Sequence, residues 1–159
     1  MKLLSQFESK GNIELLSQLK LAVFASKYTP REIYSLSREL FHSLCKLPIS
    51  LCSGWQAALE KELLTNVDES ITANIVYYSA KDIAQINLPK HLEPLYLNHK
   101  LLLLSAQSRT SRVSKGDINK RDDLLFKQVD KILFMYIREG GRLEEYYNQK
   151  LRSNFPVFK

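Results

Sequence analysis

The stretch Leu101-Leu102-Leu103-Leu104 is an unbroken apolar run in the second half of the chain. Together with Leu95 and Leu97 it makes a segment that would be apolar on nearly every side of a helix. A helix that is apolar all round is typical of the centre of a protein core. The pattern therefore predicts a central, buried helix, with Pro94 in its first turn.

The clearest local signal for a helix start is Thr29-Pro30-Arg31-Glu32. It offers threonine as the N-cap, proline at the first helical position and glutamate at the third, which is the reciprocal capping box. An apolar stripe at helical spacing follows as far as Leu44. We therefore predict a helix here that ends before Pro48.

Helical spacing also fits most of the remaining chain, and alternation with period two is not sustained anywhere. No internal repeat of 20 to 50 residues is apparent. The predicted fold class is all-α, a single-domain bundle of six or seven helices over residues 1–159. Its further helices in the first half are one at 12–28 with Asn12 as N-cap, one after a second capping box at 53–56, and one capped by Asp68. In the second half we predict a long amphipathic helix from Asp117 or Asn119 to Gly140-Gly141, and a short helix from about Arg142. Trp55, at the start of one of them, is favoured as a core anchor over a stacking platform.

Size and composition indicate one soluble globular domain, because the 159 residues are 45% hydrophobic and 25% charged. No apolar run approaches the roughly 20 residues that span a membrane. The first residues are too few and too polar for a signal peptide. Cys45 and Cys52 make no disulfide framework, so a reducing cytoplasm is the expected location.

The net charge of +6 is unevenly distributed. Residues 1–80 hold eight Lys and Arg against eight Asp and Glu, whereas residues 81–159 hold fifteen against nine. A neutral half joined to a basic half suggests one surface for packing and another for an anionic partner.

The most polar segment of the basic half is residues 105–121, where Arg109, Arg112 and Lys115 recur every third residue among small hydroxyl residues. This spacing places three cations along one side of a helix, or makes a flexible basic arm. Phosphate is the natural complement of both arrangements. A solvated loop between helices is the alternative.

Signals for catalysis, metals and cofactors are absent from the sequence. It contains no Gly-x-Ser-x-Gly, no Gly-x-x-x-x-Gly-Lys and no Gly-x-Gly-x-x-Gly. His42 and Cys45 are three residues apart, but two ligands do not make a metal site. Asp122 and Asp123 are neighbours and would point to different sides of a helix. We therefore expect neither enzymatic activity nor a cofactor nor a metal ion.

The segment Gly140-Gly141-Arg142 allows a backbone nest whose N–H groups face an anion, or simply a helix stop. Tyr146 and Tyr147 lie close by in the sequence and suit either base stacking or core packing.

These observations favour a non-catalytic protein that binds the backbone of RNA or single-stranded DNA without reading its sequence, as a subunit of a larger assembly. Its partners would include other protein subunits, or further copies of the chain. The alternative is a helical protein–protein adaptor or assembly factor whose basic face binds an acidic partner. The sequence does not decide between RNA and DNA.

A compact, basic, all-helical chain of this length without catalytic residues resembles the small helical subunit of CRISPR–Cas effector complexes of the Cascade type. The similarity covers overall size, helical content and the cluster Arg109, Arg112 and Lys115. It implies a role in antiviral defence, with the subunit supporting a guide–target duplex or a displaced strand. The residues that it implies near the nucleic acid are Arg109, Arg112, Lys115, Lys120, Arg121, Arg138 and Arg142.

Overall fold

The prediction of an all-α bundle is wrong, because the protein is built on a seven-stranded β-sheet. The computed structural model describes residues 7–106, 113–148 and 157–158. Its strands are β1 (Glu8–Gly11), β2 (Lys20–Ala25), β3 (Ser50–Ser53), β4 (Asn74–Ser79), β5 (Leu101–Ser105), β6 (Lys131–Tyr136) and β7 (Val157–Phe158). The α-helices in these described ranges are α1 (Arg31–Leu44), α2 (Ala58–Thr65), α3 (Glu93–Leu97), α4 (Lys115–Gln128) and α5 (Arg142–Tyr146).

The sheet has the strand order β1-β5-β4-β3-β2-β6-β7. All neighbouring strands are parallel except β1, which pairs with β5 in the antiparallel direction. The chain moves outward from β2 through β3 and β4 to β5, and then crosses back to place β6 on the other side of β2. The strand order therefore reverses between β2 and β6, as in doubly wound α/β folds.

Helices cover both faces of the sheet, so its central strands are buried on both sides. Leu101 and Leu103 of β5 pack on one face with Leu95 of α3. Leu102 and Leu104 belong to the other face, whose core includes residues of α4 and α5. The predicted central helix is thus a buried strand, because parallel strands covered on both faces are apolar without alternation.

Other predicted helices fail for the same reason. The segment predicted as a helix over 12–28 contains a 3₁₀ helix, Ile13–Ser17, followed by β2, whose residues after Lys20 are all buried. The helix predicted after Asp68 is mostly the strand β4. The long helix predicted to reach Gly140 ends at Gln128, and β6 follows it.

The helix predicted from the Thr29-Pro30-Arg31-Glu32 signal is confirmed as α1, although its predicted cap is wrong. Pro30 is the N-cap residue and makes no side-chain cap bond. The Thr29 hydroxyl instead donates a hydrogen bond of 2.9 Å to the carbonyl oxygen of Ser26. The helix predicted from about Arg142 is confirmed as α5. Trp55 is confirmed as a core residue, since 1% of its surface is exposed.

None of the helices in the described part of the chain is both long enough and apolar enough to cross a membrane.

Candidate functional site

Serine ends, or directly follows, each of the four parallel strands β2 to β5. These serines are all buried. The Ser53 hydroxyl oxygen accepts a hydrogen bond from the Trp55 N–H at 3.1 Å, and the Ser79 oxygen accepts one from the Lys81 N–H at 2.9 Å. Serine hydroxyls used in this way fix the first residues of a loop. The four residues are Ser26, Ser53, Ser79 and Ser105.

The remaining two serines join different loops to each other. Ser105 donates to the carbonyl oxygen of Lys81 at 2.7 Å, and Ser26 accepts from the Arg138 N–H at 2.7 Å. The second bond connects the loop after β2 with the loop after β6, on either side of the point where the strand order reverses.

A crevice of about 1170 Å³ opens at this carboxyl edge of the sheet. Residues of the loops after β2, β3, β4 and β6 line it, together with residues of α2, α4 and α5. Loops that diverge from a reversal in strand order leave such a space, and open α/β proteins bind their ligands there.

The lining of the crevice is rich in positive charge. Its acidic side chains are Glu60, Asp123 and Glu145. Its basic side chains are Lys27, Lys81, Lys115, Arg121, Arg138 and Arg142. Six cations against three carboxylates favour an anionic occupant.

Glu60 of α2 forms part of the inner wall of the crevice and is 4% exposed. One of its carboxylate oxygens accepts a hydrogen bond from the Ala25 N–H at 2.9 Å. The other oxygen accepts from the N–H groups of Gln56 at 3.0 Å and Ala57 at 3.3 Å. Glu60 therefore joins the end of β2 to the start of α2.

Burial raises the pKa of the Glu60 carboxyl above its ordinary value, although the three backbone bonds and the charge of Arg121 oppose the shift. A raised folded-state pKa means that this carboxyl stabilises the fold most at low pH, and that its contribution falls as pH rises through that pKa. Glu60→Gln, which cannot ionise, removes this dependence. We expect the stability advantage of the wild type over Glu60→Gln to shrink between pH 4 and pH 7.

Urea unfolding of both proteins at several pH values measures this difference, and the other titrating groups cancel in it. A difference that grows with pH would contradict the assignment. Glu60→Asp serves as a control because it retains an ionisable group.

Two arginines share one buried carboxylate beside the crevice. Asp122 is fully buried, and its Oδ1 accepts a hydrogen bond from Nε of Arg121 at 3.0 Å and forms an ion pair with Nη2 of Arg121 at 2.9 Å. Its Oδ2 accepts from Nη1 of Arg142 at 2.5 Å. The three groups together retain one positive charge.

Arg121 lines the crevice while being 3% exposed, and its Nη1 has no hydrogen-bond partner. A Cβ atom on Gly54 would lie 2.6 Å from both Cζ and Nη1 of Arg121. Glycine after β3 therefore makes room for the guanidinium. A buried donor without a partner within the protein is uncommon.

At the outer end of the crevice, the guanidinium of Arg138 lies 5.0 Å from the centre of the Tyr28 ring. Nζ of Lys27 lies 5.5 Å from the same ring. The Tyr28 side chain is 61% exposed. An exposed aromatic ring thus lies among cations at the loops after β2 and β6.

The structure brings together four of the residues predicted to bind nucleic acid. Lys115, Arg121, Arg138 and Arg142 line the crevice. Lys120 is exposed on α4 but is not part of the lining. Arg109 and Arg112 lie outside the described residues. Sequence reasoning missed Lys27, Tyr28, Glu60 and Lys81, all in or next to loops that follow apolar runs ending in serine.

The predicted anion nest at Gly140-Gly141 has its N–H groups occupied within the protein. Gly140 donates to a carboxylate oxygen of Glu144 at 3.2 Å, and Gly141 donates to the carbonyl oxygen of Arg138 at 3.1 Å. The glycines follow a strand rather than a helix, so they are not a helix stop either.

Tyr146, the last residue of α5, and Tyr147, which follows it, pack against aromatic residues of the core. The centre of the Tyr146 ring lies 4.5 Å from that of Phe126, and the centre of the Tyr147 ring lies 5.9 Å from that of Phe134. The Tyr146 hydroxyl donates to Asp123 at 2.9 Å. Core packing is therefore the role that these contacts indicate.

Within the described residues, no group of three or more His, Cys, Asp or Glu side chains is placed to hold a metal ion. His42 is exposed, whereas Cys45 is buried, and burial raises the pKa of the Cys45 thiol to about 11.

The strand order places the chain in the class of open, doubly wound α/β domains, and its crevice lies at the position where proteins of that class bind their ligands. No protein-family model matches the sequence, and no curated protein matches it. Solved structures of similar fold include two of DNA processing protein A.

The protein from Streptococcus pneumoniae has a TM-score of 0.60 at 16% identity, over 80% of this chain and 45% of that chain. The one from Helicobacter pylori, described for its single-stranded DNA binding mode, has a TM-score of 0.62 at 17% identity, over 80% of this chain and 59% of that chain. This chain therefore spans about half the length of both proteins, and the likeness shows a shared fold.

Proposed function

We propose that this chain is a nucleic-acid-binding domain that holds strand phosphates in the carboxyl-edge crevice and performs no chemistry on them. The observation that carries the proposal is the crevice lining of six cations against three carboxylates, an excess of positive charge that remains when Asp122, the partner of Arg121 and Arg142, is counted. The fold shared with DNA processing protein A supports it, because the Helicobacter pylori protein is described as binding single-stranded DNA. The CRISPR subunit stays an untested prediction, and one of its supports, the helical content, is contradicted.

Three exposed lysines extend from different loops and helices toward the crevice. Lys27 follows β2, Lys81 follows β4 and Lys115 begins α4. Exposed lysines bind successive phosphates as mobile point charges and release counterions when they do so. Arg121, fixed by Asp122, adds a positive charge at the inner wall.

Four polar groups of the crevice that could perform chemistry are engaged in structural bonds. Glu60 accepts from three backbone N–H groups, and Asp123 accepts from Tyr146. The Ser26 and Ser79 hydroxyl oxygens accept from loop N–H groups. General acid–base or nucleophilic catalysis needs such groups within reach of a substrate and of each other. These contacts support a binding role.

Changing Lys27, Lys81 and Lys115 together to alanine is expected to weaken binding of a labelled oligothymidylate roughly tenfold to 100-fold at 0.1 M salt. The plot of log affinity against log salt should become less steep by about 2, because three phosphate contacts on a single strand each contribute about 0.7. Fluorescence anisotropy titrations over a range of salt concentrations measure both quantities.

The matched control replaces Lys46, Lys61 and Lys90, which are exposed and lie outside the crevice lining. It removes the same charge from other surfaces and should leave the salt dependence nearly unchanged. Equal losses in the two triple variants would mean that net charge alone attracts the strand. Absence of binding by the wild type would overturn the proposed function.

A second candidate function is protein binding through α1. Leu36 and Leu40, one turn apart on this helix, are 67% and 42% exposed, and Leu47 just beyond it is 45% exposed. Neighbouring exposed leucines are typical of protein interaction surfaces. The same titration separates the two functions, because a chain that acts only through α1 would not bind the oligonucleotide.

A further inference from the structure

Tyr28 is placed unlike the other aromatic residues of the crevice. Of the described lining residues, Phe24 is buried, and Tyr77 and Tyr146 are half-buried. Tyr28 alone among them presents most of its side chain to solvent, with 61% exposed. An exposed aromatic ring offers a flat face on which a planar group of a ligand can stack.

The backbone that carries Tyr28 is fixed on both sides of the crevice. The Ser26 N–H donates to the carbonyl oxygen of Tyr136 at 2.9 Å, and the Ser26 hydroxyl oxygen accepts from the Arg138 N–H at 2.7 Å. The Thr29 hydroxyl donates back to the Ser26 carbonyl at 2.9 Å. These bonds hold the loops after β2 and β6 together, so the backbones that carry Tyr28 and Arg138 keep their relative position.

We propose that Tyr28 and Arg138 form a stacking platform for one unpaired nucleobase at the outer end of the crevice, an inference that rests on the proposed function. Aromatic rings and guanidinium planes both stack on bases of any sequence. Lys27 and Arg138 also supply positive charge at the platform, where the phosphate attached to a stacked base would lie.

The platform makes the crevice selective for single strands. A base in a duplex is paired and stacked between its neighbours, so it can reach Tyr28 only after unpairing and unstacking, which costs a few kcal/mol. A base in a single strand is free to leave its neighbours at little cost. The lysines alone would not discriminate in this way, because a duplex carries more phosphate charge per unit length than a single strand.

The test compares Tyr28→Ala with Tyr28→Phe on two ligands, an oligothymidylate and a fully abasic deoxyribose-phosphate strand of the same length. Tyr28→Ala should weaken binding of the oligothymidylate about fivefold to 150-fold, which corresponds to the loss of one stacked base. Tyr28→Phe keeps the ring and should retain wild-type affinity. Neither substitution should change binding of the abasic strand, which keeps every phosphate.

The outcomes separate this inference from the proposed function. If Tyr28→Ala binds both ligands as the wild type does, while the triple lysine variant binds them weakly, the platform is wrong and the phosphate crevice stands. If Tyr28→Ala weakens both ligands equally, Tyr28 acts only by holding the loop, and the platform is again wrong. If the wild type binds neither ligand, the proposed function itself fails. Circular dichroism of each variant verifies that it is folded.

Discussion

Replacing Asp122 with alanine is expected to lower the free energy of unfolding by about 3–5 kcal/mol. The substitution leaves the guanidinium of Arg121, which is 3% exposed, without its carboxylate. A buried charge without a counter-ion is costly because it has lost its hydration and gained no partner. Urea unfolding followed by far-ultraviolet circular dichroism measures the loss.

A double variant makes this prediction specific. Arg121→Met combined with Asp122→Ala removes both charges, and should be more stable than Asp122→Ala alone, because no unpaired ion remains. Arg142→Ala removes the half-exposed partner and should cost about 1 kcal/mol or less. If the double variant is less stable than Asp122→Ala, the cost does not come from an unpaired Arg121.

Trp55→Ala is expected to destabilise the protein by a similar amount, about 3–5 kcal/mol, through the cavity that it leaves. The indole is 1% exposed and meets the Phe41 ring edge-on at 6.0 Å. Its Nε1 donates a hydrogen bond of 3.3 Å to the carbonyl oxygen of Val76 in β4. Trp55 thereby packs α1 and the loop after β3 onto the sheet.

Trp55→Phe is the matched control, because it fills part of the cavity and loses the hydrogen bond. It should cost clearly less than Trp55→Ala. Circular dichroism must again be the probe, since the chain contains one tryptophan and its fluorescence is lost in both variants. A loss below about 1 kcal/mol for Trp55→Ala would mean that the site repacks around the gap.

The sequence predicts the amphipathic elements better than the buried ones. Helix α1 has one apolar side and one polar side, so its period is visible. Strand β5 is buried at every position, and an apolar run of its length fits a strand or a buried helix equally well. A strand is recognised in a sequence by the alternation of apolar and polar residues, and strands covered on both faces do not show this alternation.

A different signal for the strands is present in the sequence. Ser26, Ser53, Ser79 and Ser105 recur at intervals of 26 or 27 residues, and each follows a short, mostly apolar segment. An interval of this length fits a strand plus its crossover to the next parallel strand. The repeat is one of position rather than of similar sequence, which is why a search for similar segments misses it.

The candidate site could be predicted only in part. The basic second half correctly indicates Lys115, Arg138 and Arg142 as residues near one surface. Lys27 and Tyr28 come from the neutral half, and only the strand order brings them beside Arg138. Charge counted along the chain gives no information about which loops meet across a sheet. The sequence likewise does not indicate that Arg121 is buried, because its burial depends on Gly54 in another loop.

The serine hydroxyls that fix the loops have a consequence for the binding that we propose. Loops that are already ordered lose little conformational entropy on association. Little of the free energy gained from contacts with the ligand is therefore offset by the cost of ordering the loops. Such a receptor needs no slow rearrangement before capture. Complex formation would then be governed by diffusion and by long-range attraction between opposite charges, with one kinetic phase.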